Sequence, residues 1–197
     1  MRLKRTTTKI SNEHDLVILT IHSSIQYRLT WNEWFVILTT FISIVLFLPF
    51  SRRFPLVVTI LIWVYTVIFI ETLDYIMGAR PFNLYDFLDS SKYEPIIVFY
   101  HFVVYPICSY IFLYFYDTYQ LRGWKLAQYL AVWTGISVFY EWLCLINGVL
   151  TYRDWNLLYS IPTYPLASLL LIGVFRFIKS NLPPEIKSQM VIKNQMK

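Results

Sequence analysis

Residues 130–167 read LAVWTGISVFYEWLCLINGVLTYRDWNLLYSIPTYPLA. Two long apolar runs flank the short aromatic loop TYRDWN, and one carboxylate, Glu141, stands inside the first run. An ionisable side chain in hydrocarbon costs about 2.5–3.5 kcal/mol even on insertion-derived scales, so lipid-facing carboxylates are rare. Glu141 is therefore expected to look inward, toward a partner on another helix.

The rest of the chain supports a membrane setting. Of 197 residues, 57% are hydrophobic and 15% charged, whereas soluble domains have about 45–50% apolar and about 25% charged residues. Aromatic residues make up 19%, many near the ends of apolar runs, where amphipathic rings settle at headgroup level. The net charge of +5 raises the question of nucleic acid. Its basic residues, however, lie in the N-terminal segment, short loops and the tail, which a membrane topology explains. Cys108 and Cys144 both fall in apolar runs and read as packing residues. No cleavable signal peptide is visible, because Glu13, Asp15 and His22 interrupt the only candidate hydrophobic core.

The expected fold class is all-α, a polytopic helical membrane bundle of five transmembrane helices with an N-terminal interfacial amphipathic helix. Its parts are a basic segment over 1–32, a membrane domain over 33–179 and a basic cytoplasmic tail over 180–197. The interfacial helix is read over 12–31, where Ile18, Ile21, Ile25 and Leu29 recur at helical spacing between polar residues. The five spans are about 33–50, 55–77, 95–116, 126–150 and 157–178, each near the roughly 20 residues a bilayer needs. No internal repeat or nucleotide-binding glycine loop is read from the chain. Arg28, Arg80, Lys92 and Arg153 fall on one side, and Arg52, Arg53, Arg122, Lys125, Arg176, Lys179 and Lys187 on the other. The positive-inside rule then places the N-terminus outside and the C-terminus in the cytoplasm, although Arg2, Lys4, Arg5 and Lys9 run against that count.

Alternating spans bring the polar groups into one half of the bilayer. Glu71 and Asp74, on one helix face, lie near the second loop, and His101 lies at similar depth. Glu141 is roughly 14 Å below the fourth loop on the same side, near Tyr159, Ser160 and Thr163. Thr134, Ser137, Glu141, Cys144 and Gly148 form a stripe of small or polar groups suited to close packing. The expected partner of Glu141 is His101 or tyrosine hydroxyls of the third and fifth spans. The candidate pocket comprises Glu71, Asp74, His101, Tyr105, Glu141, Tyr152, Trp155, Tyr159 and Tyr164. Pro162 and Pro165 point to a cavity lined by freed carbonyls or to a packed kink.

Enzyme signatures are thin: no G-x-S-x-G or H-E-x-x-H occurs. His101 is the only histidine in a span, so intramembrane zinc chemistry lacks its ligands. No catalytic residue, metal or cofactor is expected. Membrane lipids are the expected surroundings, nucleic acid is not a partner, and a protein partner, a homo-oligomer or a small ligand stays open.

The motifs NEHDLVILTIH, LDY…G, YP, FYEW, NGVLTYRDWN and YSIPTYP resemble a family of small uncharacterised five-span membrane proteins of spore-forming Bacilli and Clostridia. The family-like residues are Asp74, Pro106, Glu141, Gly148, Tyr152, Trp155, Tyr159, Pro162 and Tyr164. Trp142 departs from the pattern, since relatives have Pro after the span-four glutamate. The resemblance implies the fold and an address in the bacterial cell membrane, and no activity. Three functions are left: binding, conducting or sensing a small solute or ion, or serving an envelope complex; an intramembrane enzyme acting on a lipid, with Glu141 or Asp74 as general base; or a purely structural protein.

Overall fold

A computed structural model describes residues 30–78, 81–88 and 95–188, the Pro95 side chain excepted. The expected interfacial helix over 12–31 lies, but for its last two residues, outside the described residues, as does the end of the tail. Among the described residues the elements in chain order are α1 (Trp31–Phe47), α2 (Leu56–Gly78), β1 (Tyr85–Phe87), α3 (Pro95–Thr118), α4 (Gly123–Ile146), β2 (Leu150–Tyr152) and α5 (Leu157–Asn181). The protein is a helical bundle. Helices α2 to α5 are long and apolar enough to cross a membrane, each about 35 Å at 1.5 Å per residue. Helix α1, with 17 residues, is shorter than the expected first span and begins at Trp31 instead of Glu33.

Helix α3 is the hub. Half of its most apolar stretch is buried inside the protein, against 6% for α4, and it packs on α1, α2 and α5, while α4 leans on α5. Tyr110, fully buried, ties the α1–α2 turn to α3: its hydroxyl meets Phe54 N, Phe50 O and Ser51 O, each at 3.1 Å. Large apolar side chains on the outer faces, among them Phe41, Leu56, Ile68, Val132 and Leu166, are more than 60% exposed. So large an apolar surface marks a lipid or protein contact.

The loops hold a surprise. The fourth span was expected to reach residue 150, yet α4 stops at Ile146. Gly148 has φ +69°, Val149 N bonds Cys144 O at 2.9 Å, and Gly148 N bonds Leu145 O at 3.2 Å. This is the Schellman arrangement that ends helices at glycine. The chain so released forms β2, which pairs antiparallel with β1 in the register Tyr85↔Tyr152, Asp86↔Thr151 and Phe87↔Leu150. Arg153 pairs with Asp86, and the N–H groups of Arg153, Asp154 and Trp155 all reach Leu84 O. Helix α5 runs through Pro162 and Pro165, and α4 continues through Trp142.

Candidate functional site

Two carboxylate clusters lie beneath the β1–β2 ladder. The first joins α2 to α3. His101 is fully buried, with Nδ1 3.0 Å from Glu71 Oε1 and 3.6 Å from Asp74 Oδ2. A carboxylate only accepts hydrogen bonds, so toward an ionised Glu71 the Nδ1 atom carries the proton. Tyr85, from β1, donates to Asp74 Oδ1 at 2.6 Å. The rings of Phe87 and Tyr105 each pack on the imidazole with centroids 5.1 Å away.

The second cluster joins α4 to α5. Glu141 Oε1 accepts from Tyr152 at 2.5 Å and from Ser160 at 2.8 Å, and Oε2 accepts from Tyr164 at 2.9 Å. Trp155 Nε1 donates to Ser160 Oγ at 3.0 Å. Indole is a donor only, so the Ser160 hydroxyl must direct its own proton at Glu141. Burial first, and then the bond to Glu141, pushes the Tyr152 phenol above its usual range, which keeps it a donor. Among the described residues the carboxylate thus has three hydroxyl donors and no cation.

Of the expected partners, His101 or tyrosine hydroxyls of the third and fifth spans, a tyrosine of the fifth helix, Tyr164, reaches Glu141, whereas His101 lies with Glu71 and Asp74. The reason is packing: α3 turns His101 toward α2, while α4 leans on α5, so tyrosine and serine hydroxyls reach Glu141 first. Tyr105 stands between the clusters, within electrostatic range of Asp74 and Tyr85 on one side and of Tyr164 and Cys144 on the other. Tyr159 does not join either carboxylate. It is 57% exposed, and its ring meets Trp155 edge-on at 5.6 Å. Tyr85, absent from the sequence-based candidates, belongs to the first cluster, and Ser160, noted only for its depth, belongs to the second.

A repeat links the two clusters, correcting the expectation of none. Asp74 and Glu141 each precede by eleven residues the strand tyrosine that binds them, Tyr85 and Tyr152. Those tyrosines face each other in the ladder, as a local two-fold axis through that pair would require. The following helices also match: YHFVVYPICS (100–109) aligns with YSIPTYPLAS (159–168), sharing Tyr100/Tyr159, Tyr105/Tyr164, Pro106/Pro165 and Ser109/Ser168. In this alignment His101 corresponds to Ser160. The eight extra residues of the longer first loop put the helices and the strands at different offsets, which hides the repeat from a fixed-period reading.

Two further buried polar groups escaped the sequence reading. Glu33, at the expected start of the first span, is 4% exposed. At the opposite end of the bundle Asp117 binds Arg53 at 2.9 Å and Lys179 at 2.6 Å, cations first read only as topology signals. Among the described residues no three His, Cys, Asp or Glu side chains form a group that could hold a metal ion. Comparison with protein-family models, curated proteins and solved structures gives no match, so the chemistry of the site is read from its geometry alone.

Proposed function

We propose that this chain is a non-enzymatic, multi-pass membrane protein that binds and releases protons at the paired carboxylate clusters. The observation that carries this reading is the buried imidazole of His101 standing between Glu71 and Asp74. A proton needs no cavity, and groups in direct hydrogen-bond contact can exchange one. Buried ionisable groups inside a membrane segment mark proton and ion paths by default. The rival reading, a lipid-modifying enzyme with Glu141 or Asp74 as general base, has less support, because both oxygens of Glu141 already accept from protein hydroxyls.

The same proposal includes α1 as a fifth span, the N-terminus outside and the C-terminus in the cytoplasm of a bacterial cell, in line with the charge count and the family resemblance. Reporter fusions at Lys197 should then behave as cytoplasmic, and fusions near Asp89 as external. The proton reading is tested by infrared difference spectroscopy of the purified protein across a pH titration. Wild type should show a carboxyl band that appears and vanishes with pH and shrinks in Glu71→Gln and Asp74→Asn. Identical spectra in wild type, both variants and Glu141→Gln would sink the proposal and leave a structural protein.

A further inference from the structure

We propose that the other end of the bundle binds a phosphate group, supplied by the headgroup of an anionic phospholipid. A cavity of about 500 Å³ opens there between the α3–α4 turn and the last turns of α5, lined by Tyr116, Asp117, Gln120, Arg122, Arg176 and Lys179. Asp117, 3% exposed, is the one acidic residue in that lining, and Arg53 and Lys179 already share it. Two cations on one carboxylate leave one positive charge over. Arg122 and Arg176 form no ion pair among the described residues and add two more. Among the described residues the lining therefore sets Arg122, Arg176 and Lys179 against Asp117 alone, a surplus of two positive charges, which Arg53, itself paired with Asp117, raises to three.

The cations are also held in place. Arg176 donates from Nε to the Tyr116 hydroxyl at 2.7 Å, and its guanidinium lies over the same ring, 5.6 Å from the centroid. Its two terminal nitrogens stay available, in the fork geometry that suits phosphate oxygens. Gln120 braces the turn by donating to Asp117 O at 2.5 Å, which sets Arg122 at the start of α4. Arg122 is the N-cap of that helix and makes no side-chain cap bond. The first-turn N–H groups of α4 thus keep their donors and the positive end of the helix dipole near the cavity.

Position and lining favour a lipid as the source. The cavity sits at helix ends, beside Trp124, which is 76% exposed, the level at which aromatic residues meet headgroups. Leu121 and Phe175 complete its lining and supply apolar surface for a glycerol or acyl segment. A group with several charged oxygens matches Arg122 at the start of α4 together with Arg176 and Lys179 on α5 better than a single carboxylate would.

The test uses the full-length protein in detergent, offered phosphatidylglycerol or phosphatidylcholine, with bound lipid read by native mass spectrometry and inorganic phosphate titrated by calorimetry. Wild type should retain phosphatidylglycerol over phosphatidylcholine. Arg122→Gln and Arg176→Gln should each weaken that retention about tenfold, as expected for one lost charge-assisted bond, with phosphatidylcholine unchanged. Arg122 is exposed and unpaired, so its variant should unfold at the wild-type temperature, separating lost binding from lost fold. Phosphatidylglycerol binding with inert inorganic phosphate supports a headgroup site. Inorganic phosphate binding that falls in both variants supports the same phosphate site with a free anion as its source. No lipid preference together with no phosphate binding, or variants that bind as wild type, overturns the proposal.

Discussion

The two helix–strand–helix halves, α2–β1–α3 and α4–β2–α5, share one plan. In each, a carboxylate near the end of the first helix meets a tyrosine from the strand that follows, and the second helix supplies the remaining polar contact. Their polar contacts diverge where the first half has His101 and the second Ser160. The first half also carries Glu71, and its counterpart in the second, at the offset that relates Asp74 to Glu141, is Val138. One half therefore brings a titratable base and two acids together, and the other surrounds a single acid with dipoles. A carboxylate can be held in a bundle either by an imidazole or by oriented hydroxyls. The first arrangement sets an imidazole against two acids, and the second sets one acid against three hydroxyls.

The comparison is broken most forcefully by His101→Ser, which copies the second half into the first. Glu71 and Asp74 would then lose the imidazole that both now meet. Leaving a buried hydrogen-bonding group without its partner costs about 1–3 kcal/mol, and the Glu71 side chain is 29% exposed, which moderates the loss on its side. Chemical unfolding in micelles should show the loss, and adding Asp74→Asn should restore much of it. A neutral His101→Ser would mean the histidine does not hold the acids together.

Glu141→Leu comes next. It strands the hydroxyls of Tyr152, Ser160 and Tyr164, and is expected to cost about 2 kcal/mol. Glu141→Gln should cost about half as much, since its amide oxygen still accepts. Equal losses in the two variants would show that shape, and not hydrogen bonding, matters at this position.

Tyr85→Phe and Tyr152→Phe sharpen the equivalence of the halves. Each removes one bond to a carboxylate, about 1.5 kcal/mol, and the two losses should agree within about 0.5 kcal/mol. A wide gap between them would separate the halves energetically despite their shared geometry. The raised Tyr152 phenol adds a pH test. A tyrosine held neutral in the folded state contributes stability that is complete below its unfolded value, about 10, and is lost as pH rises through the raised one. Tyr152→Phe should accordingly unfold with less alkaline sensitivity than wild type. The smallest effect belongs to Trp155→Phe, about 0.6 kcal/mol, the mean worth of a side-chain hydrogen bond within a membrane.

Much of the bundle was legible in the chain because the cost of placing polar groups in hydrocarbon acts residue by residue. Apolar runs of spanning length mark α2 to α5, and the same cost turns Glu141 inward wherever its neighbours lie. The face shared by Glu71 and Asp74 follows from helical spacing alone. The strands were not legible. Three residues are too few for alternation to register, and β2 exists because Gly148 ends α4 early. Arg53 and Lys179 showed their sign, but not that Asp117, more than sixty residues from each, would draw them together.

Chain composition and periodicity thus carried the membrane class, the long helices and the inward direction of the buried acids, since each depends on local transfer free energy and helical geometry. Which donor reaches which acid depended on helix neighbours. His101 and the hydroxyls near Glu141 lie at comparable depth, so counting residues along the spans could not separate them. Packing α3 against α1 and α2 gave His101 to Glu71 and Asp74, and packing α4 on α5 surrounded Glu141 with hydroxyls. Short-range hydrogen bonds act only between groups already in contact, and tertiary packing is what made those contacts.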